Sequence, residues 1–458
     1  MSDPVILARA DHTISRQQID SDALKVLYRL HQSEYEAYLV GGSVRDLLLG
    51  RRPKDFDIGT SAQPFQVKKL FRNCWIIGRR FRLAHVRFGT KNIEVATFRR
   101  LVTAEEMAAD DAAQAAARAA TDAAEAAGNA PEAGDEAAGQ PRGQDASARD
   151  LLIHRDNTFG TPEEDAFRRD FTVNALFYSI ADFSIIDYTG GLKDLEARVI
   201  RSIGDPNERF REDPVRMTRA VALAARLDFE IDPLVDDAIA THRFDIARAA
   251  PARLTDEIYK ILRAGKAERT FQMLADRRLL EPIAPELQEA VGPRLWASLA
   301  AVDRYRSEFS ESPDTLTNAI LMGSLVVPLG YTMQMLSPVF TPDGDRKEPK
   351  LSIGMLPLAR RDIEHLRQIL SLQKRLLDVH QPEKARRALA QRGPFREALT
   401  WLEIHGNAPE AVESWRAFLE DGDEAPAADS RPEGGDPQRR RRRRRKSGRR
   451  GPGPAPVA

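Results

Sequence analysis

Asp55 and Asp57 stand two apart in the stretch PKDFDIGT, Pro53–Thr60. On a strand, residues so spaced project from the same face. Two carboxylates there repel each other unless a cation joins them. A small array of oxygen donors suits Mg²⁺, which completes its shell with waters and substrate phosphates. Two such ions roughly 3.5–4 Å apart stabilise the attacking and leaving oxygens of an in-line displacement. The plain alternative is a solvated turn carrying two acids, and D-x-D alone arises often by chance. The stretch just before it, GGSVRDLLLG, Gly41–Gly50, weighs against chance. The glycine pair Gly41 and Gly42 at a strand-to-helix turn lets backbone N–H groups approach a phosphate, and the helix start behind favours negative charge. Ser43 adds a possible hydroxyl donor.

A third carboxylate would complete a metal site, and two candidates stand out. Glu94, in IEVATFR, is flanked by Ile93 and Val95, which on a strand point the other way. Asp165, in EEDAFRRD, is the second. Each has a bland alternative as a surface acid or an arginine's partner. In FRRDFTVNAL, Phe167–Leu176, Arg168 and Arg169 could neutralise phosphates. Asp170 and Asn174, four apart on one helical face, could hold a ribose by its hydroxyls. A salt-bridge network is the alternative there.

The last cluster is RFREDPVRMTRAV, Arg209–Val221. Asp213 and Arg216 fall three apart at a helix start. Adenine and cytosine both offer an amino donor beside a ring-nitrogen acceptor, which an aspartate and an arginine match. Uracil and guanine present the reverse pattern and would leave both groups unpaired. A helix-capping carboxylate with an i,i+3 ion pair is the structural alternative.

Positioning these groups requires a mixed α/β unit. Leu24, Leu27, Tyr28 and Leu30 predict a helix from Ser21. A strand follows at Ala37–Val40, then a helix from about Val44 to Leu49 with Gly50 as its stop. Asp55–Gly59 reads as a strand, Pro64–Phe71 as a helix, and Cys74–Gly78, Leu83–Phe88 and Asn92–Arg99 as strands. Residues near Ala181–Asp187 close this unit. From about Gly204 to Leu419 the pattern is helical, with segments Pro214–Leu227, Leu254–Leu262, Ala267–Arg278, Asp314–Val326, Arg360–Leu377 and Glu383–Gln391. Pro342–Pro349 reads as a polar loop. The expected division is a head over 1–203, a helical neck over 204–284, a helical body over 285–419 and a tail over 420–458.

Charge is segregated along the 458 residues although the formal net charge is zero. Thr103–Arg149 carries 10 acidic and 3 basic residues, hence −7, with no aromatic residue. It reads as a mobile insertion with little to bury. Glu420–Asp436 carries 7 acidic and 1 basic residue, hence −6. Arg439–Arg450 carries 9 Arg and 1 Lys, hence +10, including the unbroken run Arg439, Arg440, Arg441, Arg442, Arg443, Arg444, Arg445 and Lys446. Such a block is a solvated tail or an arm for a polyanion such as RNA. No apolar run approaches a membrane span, and no secretory signal is seen at the start. Cys74 is the only cysteine, which excludes an internal disulfide and a cysteine zinc site and suits a cytoplasmic location.

GGSVRD, DFD, EVATFR, RRDFTVNA and EDPVR, in this order, resemble the nucleotidyltransferase family of the bacterial poly(A) polymerases and CCA-adding tRNA enzymes. The likeness runs from about Tyr38 to Ala284, interrupted by the insertion. It implies an α/β head with a mixed sheet, followed by all-α neck, body and tail regions that hold RNA. It implies that Asp55 and Asp57 bind metal and that Gly41, Gly42 and Arg45 meet the triphosphate. It implies further that Asp170 and Asn174 meet the ribose, and that Asp213 and Arg216 read the base without a template. IIGRRFRLAHV, Ile76–Val86, and the arginine-rich tail resemble the polymerase branch. The expectation is therefore an enzyme that adds AMP from ATP to RNA 3′ ends with Mg²⁺, as a monomer, with RNA-decay proteins as conceivable partners. A CCA-adding enzyme is the first alternative. An RNA-binding adaptor with an inactive head is the non-enzymatic one.

Overall fold

The computed structural model describes residues 3–78, 82–100, 158–332, 335–336, 339–340, 346–347 and 351–423. The acidic insertion, the arginine run 439–450, and Arg79, Arg80 and Phe81 of the basic stretch lie outside the described residues.

An eight-stranded sheet organises the head. Its strands are β1 (Val5–Leu7), β2 (Ala37–Val40), β3 (Ile58–Thr60), β4 (Cys74–Ile77), β5 (Leu83–Phe88), β6 (Lys91–Thr97), β7 (Leu176–Ser179) and β8 (Ile185–Asp187), in the order β1-β8-β7-β2-β3-β6-β5-β4. Neighbours are antiparallel except the parallel pair β3–β6. This topology gathers the chemistry. Because β2 and β3 run antiparallel, the end of β2 lies beside the start of β3, and Val40 N–H donates to Asp57 C=O at 3.0 Å. Gly41 N–H donates to Leu176 C=O at 3.1 Å, so the glycine turn also meets the start of β7. The register Ile58↔Val95 sets Asp57 level with Glu94.

Strand alternation divides the apolar side chains between two faces. Leu39, Ile58, Val86, Ile93 and Val95 join the main core with helix α1 (Ser21–Gln32). In α1, Ala23, Val26, Leu27 and Leu30 form the buried stripe, and Asp20 caps the start by accepting from the Asp22 and Ala23 amides. Val40, Phe98, Phe177 and Ile203 build a smaller cluster on the other face. Gly59 belongs to this packing. A Cβ there would stand 2.8 Å from the Phe98 ring and 3.1 Å from Val40, so only glycine lets the strand lie so close.

Helices α2 (Gly42–Leu48), α3 (Pro64–Leu70), α4 (Pro162–Phe167) and α5 (Gly191–Ala197) complete the head. The neck begins with α6 (Pro206–Glu212), α7 (Val215–Leu227), α8 (Pro233–His242) and α9 (Pro251–Arg263). A short parallel pair, Val199–Ile200 with Glu230–Ile231, stitches across the expected head–neck boundary. Further helices run to Asp423, the fourth residue of the expected tail. Two small hairpins interrupt them. One pairs Val339–Phe340 with Arg346–Lys347, so part of the expected polar loop is strand. No helix among the described residues is long and apolar enough to cross a membrane.

Two local readings need correction. The strand expected over Asp55–Gly59 is Ile58–Thr60, so both aspartates lie in the loop that precedes it. Asp170 and Asn174 do not share an α-helical face. The chain there turns through Phe171 into a single 3-10 turn, Thr172–Asn174, because it must enter β7 at once.

Candidate active site

Asp57 is solvent-accessible, with protein walls close behind it. Its carboxyl is pushed up to about 6, first by desolvation against those walls, then by the like charges of Glu94 and Asp55. Arg169 opposes the rise. Asp55 is well exposed, and Lys54 Nζ lies 3.7 Å from its Oδ2. Glu94 is exposed on β6 between the buried Ile93 and Val95, and its Oε1 lies 3.6 Å from His85 Nε2. Three carboxylates therefore share one open corner of the sheet. Among the described residues, no three ligand-type side chains are already drawn together tightly enough to hold a metal. Two carboxylates with room for waters and a phosphate remain the kind of donor set that magnesium accepts.

Asp165 is elsewhere in kind. It is buried in α4, accepts from Arg168 Nε at 2.8 Å and Arg169 Nη2 at 2.8 Å, and takes the Arg99 amide at 3.2 Å. Burial alone would raise its pKa, but the charges and hydrogen bonds of Arg169 and Arg168 outweigh burial and hold it below the usual carboxylate range. Between the two sequence readings of Asp165, the arginine's partner is the one found. It fixes Arg169, whose Nη1 reaches Asn174 C=O at 3.2 Å and whose guanidinium lies 5.3 Å from the Phe177 ring centre.

The glycine turn stands beside Arg169. Gly41 has φ +74°, a conformation that strains other residues, and a Cβ there would come 3.1 Å from Arg169 Nη1. The first turn of α2 leaves its leading N–H groups without intrahelical partners. Ser43 is not a free donor, since its buried hydroxyl donates to Val40 C=O at 3.0 Å. Arg45 is buried beneath the turn. It bonds Asp46 Oδ1 at 2.8 Å through Nε and the Asn174 side-chain oxygen through Nη1. It therefore orients Asn174 rather than facing the open cleft.

Behind this corner, charge pairs join head to neck. Asp170 Oδ1 accepts the Phe171 amide at 2.9 Å, and Oδ2 lies 2.6 Å from Arg219 Nη2. That ion pair is not aligned as a hydrogen bond, so Oδ2 keeps accepting capacity. Arg209 donates to the carbonyls of Arg168 at 2.7 Å and Arg169 at 2.6 Å, and to Glu212 at 2.9 Å. Glu212 also holds Arg216 at 3.0 Å. Asp213 bonds Arg253 at 2.7 Å. Arg209, Glu212, Arg219 and Arg253 were not singled out by sequence reasoning. Arg219, three residues after Arg216 on one helix, carried a local signal. Arg253 did not, being distant in sequence. A cavity of about 190 Å³ opens between the parts, lined by Asp170, Asn174, Arg219, Arg226, Glu257 and Lys260 among others.

A family model described as the poly A polymerase head domain matches residues 37–201. A second, the probable RNA and SrmB- binding site of polymerase A, matches 228–291, and a third, the polymerase A arginine-rich C-terminus, matches 352–449. All three descriptions name polymerase A or poly A polymerase, and each match covers less than half of the chain. The chain is 47% identical over 282 residues to poly(A) polymerase I of Salmonella typhimurium, covering 62% of this chain and 54% of that one. It is 32% identical over 266 residues to a CCA-adding enzyme of Lactobacillus johnsonii, covering 58% and 56%. The chain thus spans about half the length of the curated relatives it matches. The Bacillus stearothermophilus CCA-adding enzyme in complex with CTP aligns with a TM-score of 0.50 at 22% identity, covering 87% of this chain and 82% of that one. That likeness is one of fold.

Proposed function

We propose that this chain adds AMP from ATP to RNA 3′ ends without a template. The observation that carries the proposal is the acidic corner. Asp55, Asp57 and Glu94 stand together with no lysine or arginine among the described residues neutralising them fully, beside a glycine turn that suits phosphate. In the reaction the 3′-hydroxyl oxygen bonds to the α-phosphorus, the bond to the β-phosphate breaks, and pyrophosphate leaves. Magnesium on Asp55 and Asp57 would supply charge stabilisation for that displacement. Glu94, not Asp165, is the third carboxylate in this reading. Arg169 neutralises phosphate, Asp170 Oδ2 and Asn174 take ribose hydroxyls, and Asp213 with Arg216 reads the base. For Asp213 and Arg216 to do so, the partners Arg253 and Glu212 orient them or give way.

Adenylate addition to many RNAs is favoured over CCA addition by two things. Relatives named poly(A) polymerase I share more identity than those named CCA-adding enzyme, and the arginine-rich C-terminal match extends into the run Arg439–Lys446. That run would hold RNA phosphates irrespective of sequence. A cytoplasmic monomer, with RNA-decay proteins as further partners, completes the reading. The deciding experiment offers a generic RNA oligonucleotide and a tRNA lacking CCA, each with ATP or CTP, and sizes the products. Long adenylate tails on both support the proposal, whereas additions that stop at a terminal A on tRNA alone overturn it.

A further inference from the structure

The cavity between head and neck is lined by three cations, and they differ in what they touch. Arg219 is paired with Asp170 at 2.6 Å, and Lys260 with Glu257 at 2.8 Å. Arg226, the penultimate residue of α7, is exposed at the same cavity and makes no side-chain ion pair or hydrogen bond among the described residues. Its backbone is fixed all the same. Arg51, which follows the helix of the glycine turn, donates from Nη1 to Arg226 C=O and from Nη2 to Leu227 C=O, both at 3.1 Å. A cation at the carbonyl end of a helix is favourably placed by the helix dipole. The head thereby sets where the Arg226 side chain begins. Arg226 lines this cavity with Asp170 and Asn174, and the Asn174 side-chain oxygen accepts from Arg45 beneath the glycine turn.

We propose that Arg226 is a substrate-contacting residue, holding a phosphate group that enters between Asp170 and the glycine turn. Arg45 and Arg219 are committed to protein carboxylates, while Arg226 has a guanidinium free to grip phosphate oxygens in a bidentate manner. The phosphate belongs either to ATP or to the last linkage of the RNA. Arg51 acts through Arg226 and is a positioning residue. This rests on the nucleotidyltransferase reading for the identity of the ligand.

The test compares wild type with Arg226→Ala, Arg226→Lys and Arg51→Ala in the full chain. Equilibrium binding of ATP and of inorganic triphosphate is measured without RNA. The KM for an RNA oligonucleotide is measured at saturating ATP. If the phosphate is that of ATP, Arg226→Ala weakens both ATP and triphosphate binding about tenfold, and lysine restores part of the loss. If it is the RNA's, ATP binding holds while the RNA KM rises by a similar factor. Arg51→Ala gives a smaller change on the same arm. Changes below twofold on both arms for Arg226→Ala, with an unaltered melting temperature, overturn the proposal. Failure of the broader reading looks different, because wild type would then incorporate no nucleotide at all.

Discussion

The acidic corner and the head–neck seam are both crowded with charge, yet they follow opposite rules. At the corner, Asp55, Asp57 and Glu94 repel one another, and Asp57 is lifted to about 6. At the seam, Asp165 and Asp170 are buried against arginines and held below the usual carboxylate range, although burial alone would raise them. Paired charge in a protein interior is architecture, since each group already has its counter-ion. Uncompensated charge of one sign at an open edge costs stability and is retained where a ligand supplies the balance. The contrast separates carboxylates whose charge awaits a ligand from carboxylates whose charge the protein already balances.

The sharpest way to break this division is to remove one acid from the corner. We expect Asp55→Ala or Asp57→Ala to lower nucleotide incorporation by at least about a hundred- to a thousandfold, the scale of losing one strong electrostatic contact to a transition state. Circular dichroism and melting temperature should stay near wild type. Normal incorporation by either variant would remove the corner from the active site.

The seam should respond the other way. Asp165→Ala leaves Arg168 and Arg169 without their shared partner in a buried setting. A loss of about 3–5 kcal/mol in unfolding free energy is expected from denaturant titration, the range for breaking one side of a buried pair. Incorporation by the fraction still folded should fall less than in the corner variants. A fully stable but inactive Asp165→Ala protein would move Asp165 from the seam to the chemistry.

Between these extremes stand Asp213 and Arg216, paired in this structure yet assigned to the base. Asp213→Ala or Arg216→Ala should cost about 1–3 kcal/mol of discrimination, borrowing the scale of bidentate base contacts. The measurement is kcat/KM for ATP against UTP and GTP. Unchanged preference would make the pair a part of the seam alone.

How far these roles could be read from the sequence depends on the range of the interaction. Gly41 and Glu94 stand at the turn and on the strand that local signals predict, while Asp55 and Asp57 come together although both precede the strand expected to carry them. The sheet order was not legible, since it depends on strands as far apart as β2 and β7. Asp165 remained ambiguous because an acid three and four residues from two arginines fits either a metal site or an ion pair. Ser43 and Arg45 were read as facing phosphate, and the structure turns both inward. Their direction is set by how tightly α2 packs on β2 and β7, which no local pattern reports. Likewise, the helix boundaries were close to those expected wherever the apolar periodicity was strong, as in α7 and the Arg360–Leu376 helix.

The mildest expected effect is on stability against pH, and it tests the corner without any substrate. Asp57 has a folded-state pKa of about 6 and an ordinary unfolded value near 3.8. The folded, metal-free protein therefore binds more protons than the unfolded chain between these values. By linkage, stability falls as pH rises through that window and is level above it. Because Asp57 is accessible to water, the size is about 1 kcal/mol or less after screening. Asp57→Asn removes the group that titrates. At pH 7 without divalent cations the variant should melt at or slightly above wild type, while at pH 4 the two should coincide. Adding magnesium should raise wild type and leave the variant largely unmoved, because the cation supplies the charge balance that the substitution makes unnecessary. A variant less stable than wild type at pH 7 without metal would show that Asp57 is satisfied within the protein. The corner would then follow the rule of the seam.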